Sequence, residues 1–402
     1  MIRLSKIILF FTAVVVLAWL LPWTYRFLTV RPDRTPFTLY SCVTESFASI
    51  DFNDGEIVRH DASGKTYTDR EFDSILPLFY YRQLLSDGRQ PDTLRGVALT
   101  PQTVSMQSFY FRNSPSDLNK VKPELYPLLE AMSGRVELQM PPDVFRIDER
   151  IELIDMATNR VDDRKSDLFT RALQAKGFEF PATYVLGNPT TRKEYDEGYM
   201  LLDGNGGLYH LKQLRGRPYV RRVDLPDSVR IADIFITEFS NRRSYAFLSD
   251  EAHNFYVLTN PGYELKQLPV GHFDPRSESI LIIADLFNWT VSISGEEGVR
   301  YYAVDADDYS LCDTLAYPAA EGVSQRVAEW LFPFDLSFTS YDDQYVYPRL
   351  GGFSACALLL NVLLAVAYLV MRRRHLRCAW LPAAGVVLLG LFLFVPLLVI
   401  RR

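Results

Sequence analysis

Four arginines fall within the seven residues Met-Arg-Arg-Arg-His-Leu-Arg, 371–377, and uncharged apolar runs, 350–370 and 379–400, lie on either side of them. Each run is long enough to cross a hydrocarbon core of about 30 Å as a helix. Positive charge in a short loop between two such helices is held on the cytoplasmic side, which makes Arg372, Arg373, Arg374 and Arg377 the topology determinants. The chain therefore reaches residue 350 from outside the cytoplasm. Within the first of these runs Asn361 is the one strongly polar side chain, and a lone amide in such surroundings packs helices together.

The N-terminus fits the same topology. Arg3 and Lys6 precede an apolar run, 7–23, with Trp19 and Trp23 at its far end, where amphipathic rings favour the membrane boundary. Val16 and Ala18 offer a small-residue site for signal cleavage. The following Trp-Leu-Leu-Pro-Trp would leave an apolar mature end, so a retained anchor over 1–30 is the expectation.

Between these segments, residues 35–348 carry 31 Lys and Arg against 48 Asp and Glu, a formal charge of −17. Such a surface repels phosphate backbones, and nucleic acid is excluded as a partner. Of four cysteines, Cys356 and Cys378 fall in the C-terminal segments, while Cys42 and Cys312 share the external region. An oxidising compartment would allow these two to form a disulfide.

The external region reads as two parts. In residues 35–183 strands and helices mix. An Asn53-Asp54-Gly55 turn joins two alternating runs into a hairpin. Thr68-Asp-Arg-Glu71 is a capping box ahead of Phe72, Ile75, Leu76 and Phe79, with Pro77 inside the helix and Gly88 as its stop. Further helices are predicted over 123–133 and 166–176, the second burying Leu168, Phe169, Ala172 and Leu173. In residues 184–348 short strands follow one another, as 199–202, 208–211 and 218–223, then 245–248, 255–258 and 263–268. A less regular set covers 280–284, 289–293, 300–305 and 310–315. The first two sets repeat at 46 to 47 residues, as from Tyr199 to Tyr245 and from Tyr209 to Tyr256, a period that suits four-stranded propeller blades. A half-propeller fused to an α/β lobe and a β-sandwich are also compatible with it. The fold class is thus mixed α/β and β-rich, membrane-anchored, with propeller-like antiparallel repeats and a C-terminal transmembrane hairpin over 350–371 and 379–400. Residues 323–331 and the aromatic-rich 332–347 before the hairpin read either as core packing or as an interfacial segment.

The chain carries no Gly-x-Ser-x-Gly elbow, His-Glu-x-x-His helix, phosphate loop or cysteine pair at metal spacing. No catalytic residue, cofactor or metal is assigned. Gly-rich 203–207 reads as a hairpin turn. His60, His210, His253 and His272 are scattered, and His210 reads as a packed or surface residue rather than a ligand. The acidic groups Asp51-x-Asn53-Asp54-Gly55 with Asp61, and Asp305, Asp307, Asp308 and Asp313, are the cation candidates, with ordinary turns as the simpler reading. Asn288-Trp289-Thr290 matches a glycosylation acceptor.

The run 67–96, with Arg70-Glu71-Phe72-Asp73 and Leu76-Pro77-Leu78-Phe79-Tyr80-Tyr81-Arg82, together with Glu194-Tyr-Asp-Glu-Gly-Tyr-Met-Leu-Leu-Asp203 and Leu208-Tyr-His-Leu-Lys212, resembles an uncharacterised family of Bacteroidota membrane proteins. The resemblance covers nearly the whole chain and brings no active site with it. It implies an inner-membrane accessory component with a periplasmic domain, associated with the permease and ATPase subunits of an ABC-type transport system. The expectation is a non-enzymatic docking or binding protein. A membrane-anchored ligand or cation sensor is the alternative, and an enzyme whose catalytic groups meet only in the fold is a second.

Overall fold

The computed structural model describes residues 2–29, 35–53, 56–118, 124–132, 134, 137–319, 323–338, 347–373 and 376–400. These form two compact units, Thr35–Pro318 and the pair of terminal segments Met1–Arg34 with Ala319–Arg402.

Thr35–Pro318 is built from successive antiparallel sheets. The first pairs Phe37–Ser41, Ser46–Asn53 and Glu56–Asp61. The predicted hairpin joins its second and third strands, although Asp54 and Gly55 lie outside the described residues. A second sheet holds Tyr126–Pro127, Asp143–Ile147, Ile151–Asp155 and Arg160–Val161. Two four-stranded meanders follow: Tyr184–Gly187, Tyr199–Leu202, Leu208–Leu214 and Arg217–Val223, then Ile231–Ile236, Ser244–Asp250, Phe255–Thr259 and Leu265–Gln267. The last sheet runs through Ser279–Ala284, Asn288–Gly295, Gly298–Asp305 and Leu311–Pro318, and takes its fifth strand, Phe109–Asn113, from far upstream. The central strands of the meanders are buried on both faces: Met200, Leu202 and Leu208 enter one core cluster, and the alternate residues Tyr199, Leu201, Tyr209 and Leu211 enter another. One core cluster joins Phe145, Leu153, Phe169 and Leu173 to Tyr199, Leu201, Tyr209 and Leu211, residues from both sides of the 183/184 boundary.

Local signals placed two of the three expected helical segments, while the short helices Pro101–Gln107 and Pro115–Leu118 were not expected. Thr68 caps Asp69–Ile75 in a complete capping box, worth about 1 kcal/mol. Pro77 ends that helix, and a separate one, Tyr81–Ser86, follows, closed by Gly88. The 166–176 helix begins earlier, as Asp163–Gln174 behind an Asp162 cap, and buries Ser166, Phe169 and Leu173 while Leu168 stays exposed. The helix expected over 123–133 is not formed where the chain is described: Tyr126–Pro127 pairs with Phe145 and Val144 instead. Pro127 would have stood inside that helix without an N–H to donate, and pairing buries Leu128 and Leu129.

The 47-residue repeat has a physical basis in its turns. Asp203 Oδ1 accepts from the backbone of Gly207, and Asp250 Oδ1 from that of Asn254, each four residues on. Tyr256, six residues after Asp250, donates its hydroxyl to Oδ2, and Tyr209 holds the same place after Asp203. The same device recurs at Asp61, which accepts from Lys65 N and the Tyr67 hydroxyl. Burial alone would raise Asp61, but these bonds and those from Ser63 hold it down at about 2.

In the terminal unit the apolar helix Ile2–Thr29 packs Ala18, Leu21 and Tyr25 against Ala328, Leu331 and Phe332, and Arg26 bridges to Asp335 at 2.9 Å. The run expected to span as one helix over 350–371 is shorter. Leu350 pairs with Leu336 in a two-stranded ribbon, and the helix Ala357–Met371 rises only about 22 Å. The 379–400 run is divided, with helices Leu376–Leu389 and Leu391–Val399 meeting at Gly390. There Asn361, fully buried, donates its amide to the Val387 carbonyl at 3.1 Å. Gly390 has φ +55, and a Cβ on it would overlap the Asn361 amide, so the break is shaped around that side chain. Arg372 and Arg373 follow the Ala357–Met371 helix, Arg374 lies outside the described residues, and Arg377 belongs to the next helix.

Gly198 has φ +66, and a Cβ there would overlap the Leu211 carbonyl oxygen and approach Lys212 Cβ to 2.8 Å. Gly198→Ala is expected to destabilise the protein by about 2 kcal/mol or more, since strain and overlap add. A denaturant titration of the full chain in mild detergent measures this, and an unchanged midpoint would show that the hairpin relaxes freely.

Candidate functional site

A cavity of about 540 Å³ opens beside the first and last sheets. Strand Phe37–Ser41 supplies Phe37, Leu39 and Tyr40, and strand Phe109–Asn113 begins at Phe109 and Tyr110. Ile283, Ala284, Asp285 and Thr290 come from the neighbouring hairpin. The remaining wall is Leu76-Pro77-Leu78-Phe79, the segment between two helices that Pro77 prevents from merging. Size and lining match an ordinary small-molecule pocket: mostly apolar, with a few fixed polar groups.

The polar groups are held rigidly. Thr290 Oγ1 accepts from Tyr40 N at 2.9 Å. Asp285 begins the turn between two strands, its Oδ1 accepting from Phe287 N at 2.8 Å and Asn288 N at 2.9 Å. Its Oδ2 accepts no hydrogen bond among the described residues. Burial pushes the Asp285 carboxyl up to about 6 against the opposing pull of its two backbone donors and Arg95. Cys42, on the same wall, is buried, and desolvation with the nearby Asp285 raises its thiol to about 12. A thiol so raised stays protonated and is a poor nucleophile.

Cys42 and Cys312 are separate free thiols, which corrects the expected disulfide. Cys42 packs with Leu78, Tyr81, Leu99 and Val104, whereas Cys312 is exposed on the strand Leu311–Pro318 and accepts from the Asn288 amide at 3.6 Å. Compartment made the pair permissible, but the two side chains serve different packing environments.

The segment Glu194–Asp203 builds a second polar cluster, at the seam of the two four-stranded meanders. Lys193 Nζ reaches Asp196 at 2.5 Å and Glu238 at 2.6 Å, and Lys212 reaches Glu197 at 2.9 Å. His210, fully buried, lies 2.7 Å from the Tyr263 hydroxyl and also bonds the Glu197 carbonyl. Burial drives the imidazole down to about 3, so it is neutral and packed rather than at the surface. Burial raises Asp196 to about 6 despite Lys193. Two lysines are shared among three carboxylates here, and Lys193 ties Asp196 to Glu238 across the two sheets.

Among the described residues neither acidic group gathers into a cation site, Asp54 of the first lying outside them. Asp51 pairs with His60 at 3.0 Å, and Asp61 is spent on its own turn. Asp305 accepts from Asp307 N and Asp308 N, Asp308 from Ser310 N, and Asp307 pairs with Arg243. Among the described residues no three His, Cys, Asp or Glu side chains are placed to share a metal. Asn288 of the glycosylation triplet is buried on a strand. Two features escaped the sequence. His253 and His272 come within 4.5 Å, ring to ring, and the cavity depends on the distant pairing of Phe109–Asn113 with Ser279–Ala284. The alternating Phe109-Tyr110-Phe111 was a strand signal, but its partner was not readable.

A search of curated proteins returned no match. Solved structures similar to the chain include PorZ, a bacterial surface component of the type-IX secretion system of Porphyromonas gingivalis (13% identity, 74% of this chain and 28% of that one, TM-score 0.23). They also include the dihydro-heme d1 dehydrogenase NirN (9%, 68% and 69%, TM-score 0.23). A third is the WD40 domain of SCAP from fission yeast (11%, 77% and 76%, TM-score 0.29). The chain spans little more than a quarter of PorZ, and similarity at these levels carries no argument about function. Residues 37–304, more than half of the chain, match the domain of unknown function DUF4857, and the chain belongs to that family.

Proposed function

We propose that this chain is a membrane-anchored, non-enzymatic binding protein whose propeller-like domain, residues 35–318, presents the 540 Å³ cavity outside the cytoplasm. The cavity carries the reading: apolar walls from four chain segments converge on a single carboxyl, Asp285, fixed by two backbone donors. The helix Ile2–Thr29 supports the anchor, with 23 residues of membrane-spanning length and apolar character. The arginines at 372–374 and 377 favour a cytoplasmic face between the C-terminal helices, and this supports reading the cavity as periplasmic in a bacterial cell.

In that setting the protein serves as an accessory of an ABC-type transporter. Its C-terminal helices meet the permease, and its cavity receives the cargo or a segment of a partner. A ligand sensor is the second reading, favoured by the same cavity.

Two outcomes test this. Crosslinking in intact cells, then affinity purification in mild detergent, is expected to enrich a permease and its ATPase, and recovery of the chain alone would remove the transport role. The cavity carboxyl has its own signature. Because folded Asp285 keeps its proton to higher pH than the unfolded residue, it costs stability as pH rises from about 3.8 through about 6. Asp285→Asn retains an oxygen for both backbone donors and should be more stable than the parent at pH 7.5, by on the order of 2 kcal/mol, with the gap closing toward pH 4. Thermal unfolding across that range reads the difference, and parallel curves would show that Asp285 is solvated.

A further inference from the structure

The helix Val323–Leu331 has an apolar face wider than its packing uses. At about 100° per residue, Ser324, Ala328 and Leu331 share one flank, and Val323, Val327 and Trp330 the adjoining one. The first flank meets the helix Ile2–Thr29. Ala328 and Leu331 pack with Leu21 and Tyr25, and the Tyr25 hydroxyl donates to the Ser324 carbonyl at 3.1 Å. The second flank is uncovered: Val323 is 80% exposed, Val327 41% and Trp330 49%. Gln325, Arg326 and Glu329 occupy the remaining side.

The position of that contact says what covers the bare flank. Tyr25 lies about 27 Å along the helix axis from Ile7, where the 23-residue apolar stretch begins, close to the full depth of a hydrocarbon core. Trp19 and Trp23, both exposed, stand at the same end, where indole rings settle at the boundary between acyl chains and headgroups. A second helix docked at this level, apolar on one side and polar on the other, meets lipid along its bare flank. Leu21 and Tyr25 already occupy the neighbouring one.

We propose that Val323–Leu331 is an interfacial helix, with Val323, Val327 and Trp330 set among the acyl chains of the outer leaflet and Gln325, Arg326 and Glu329 turned to water. The proposal rests on the anchor reading of Ile2–Thr29. Since Arg326 and Glu329 offset each other, the contact is with the apolar part of the lipid and needs no anionic headgroup. The helix then fixes the point at which the chain leaves Pro318 and enters the membrane-bound unit.

The test uses the full chain reconstituted in phosphatidylcholine vesicles, with or without bromine near the headgroup end of the acyl chains. Subtracting the emission of Trp330→Phe from that of the parent isolates Trp330, and Trp23→Phe isolates Trp23 in the same way. Bromine is expected to reduce the Trp330 component by about half, with aqueous iodide having little effect and added phosphatidylglycerol none. A Trp330 component untouched by bromine while Trp23 is quenched would overturn the proposal and leave the anchor standing. If neither responds, the anchor reading fails and the proposal with it. Trp330→Phe keeps an apolar ring at the site, so folding is retained, and Val327→Asp supplies a second readout by weakening the bromine quenching of Trp330 while that of Trp23 is unchanged.

Discussion

Strand Phe109–Asn113 lies in register against Ser279–Ala284, with Phe109 opposite Ala284 and Asn113 opposite Ile280. Roughly 170 residues separate the two strands, so the pairing closes a long loop, and its entropic cost must be met by what the closure buries. Phe109 stacks on Phe239 at 4.1 Å and meets Trp289 edge-on, while Phe111 packs against Phe235 and Phe247. These rings belong to the largest aromatic core of the domain. The same pairing sets Phe109 and Tyr110 beside Ile283 and Asp285, so the cavity exists only because the closure is made.

Charge shapes the domain in two opposite ways. Residues 35–348 carry a formal charge of −17, an excess of carboxylates that the fold must keep solvated or paired. Inside, carboxylates persist only where a donor answers them. Asp61, Asp203 and Asp250 are wrapped by the amides and hydroxyls of their own turns, and Asp196, Glu197 and Glu238 share Lys193 and Lys212. Removing one partner from such a buried set costs about 3–5 kcal/mol, because the remaining charge cannot regain water. Asp285 differs from these, since it lines a cavity and the two hydrogen bonds it accepts both go to Oδ1.

Much of the local structure was legible. The capping box at Thr68, the stop at Gly88, the Pro77 interruption and the meanders from Tyr199 onward all follow from signals within a few residues. The misreadings share one cause. Residues 126–127 became a strand because Phe145 and Val144 were available to pair, Leu350 joined Leu336 rather than a helix, and Cys42 turned toward Leu78 and Val104 rather than Cys312. In each case a contact distant in sequence outweighed a local preference worth less than a few kcal/mol.

Sequence alone determined the apolar segments, the arginine cluster between two of them, the acidic balance of the domain and the 47-residue rhythm of its Asp and Tyr turns. Each is carried by the period or charge of neighbouring residues, which the chain bears whether folded or not. Tertiary structure decided the rest: which strand completes the last sheet, where Asp285 stands relative to Leu39 and Leu78, how Asn361 fits the break at Gly390, and which flank of Val323–Leu331 is left bare. Those outcomes depend on side chains brought together from distant parts of the chain. Their energies arise only when burial has removed the water between them.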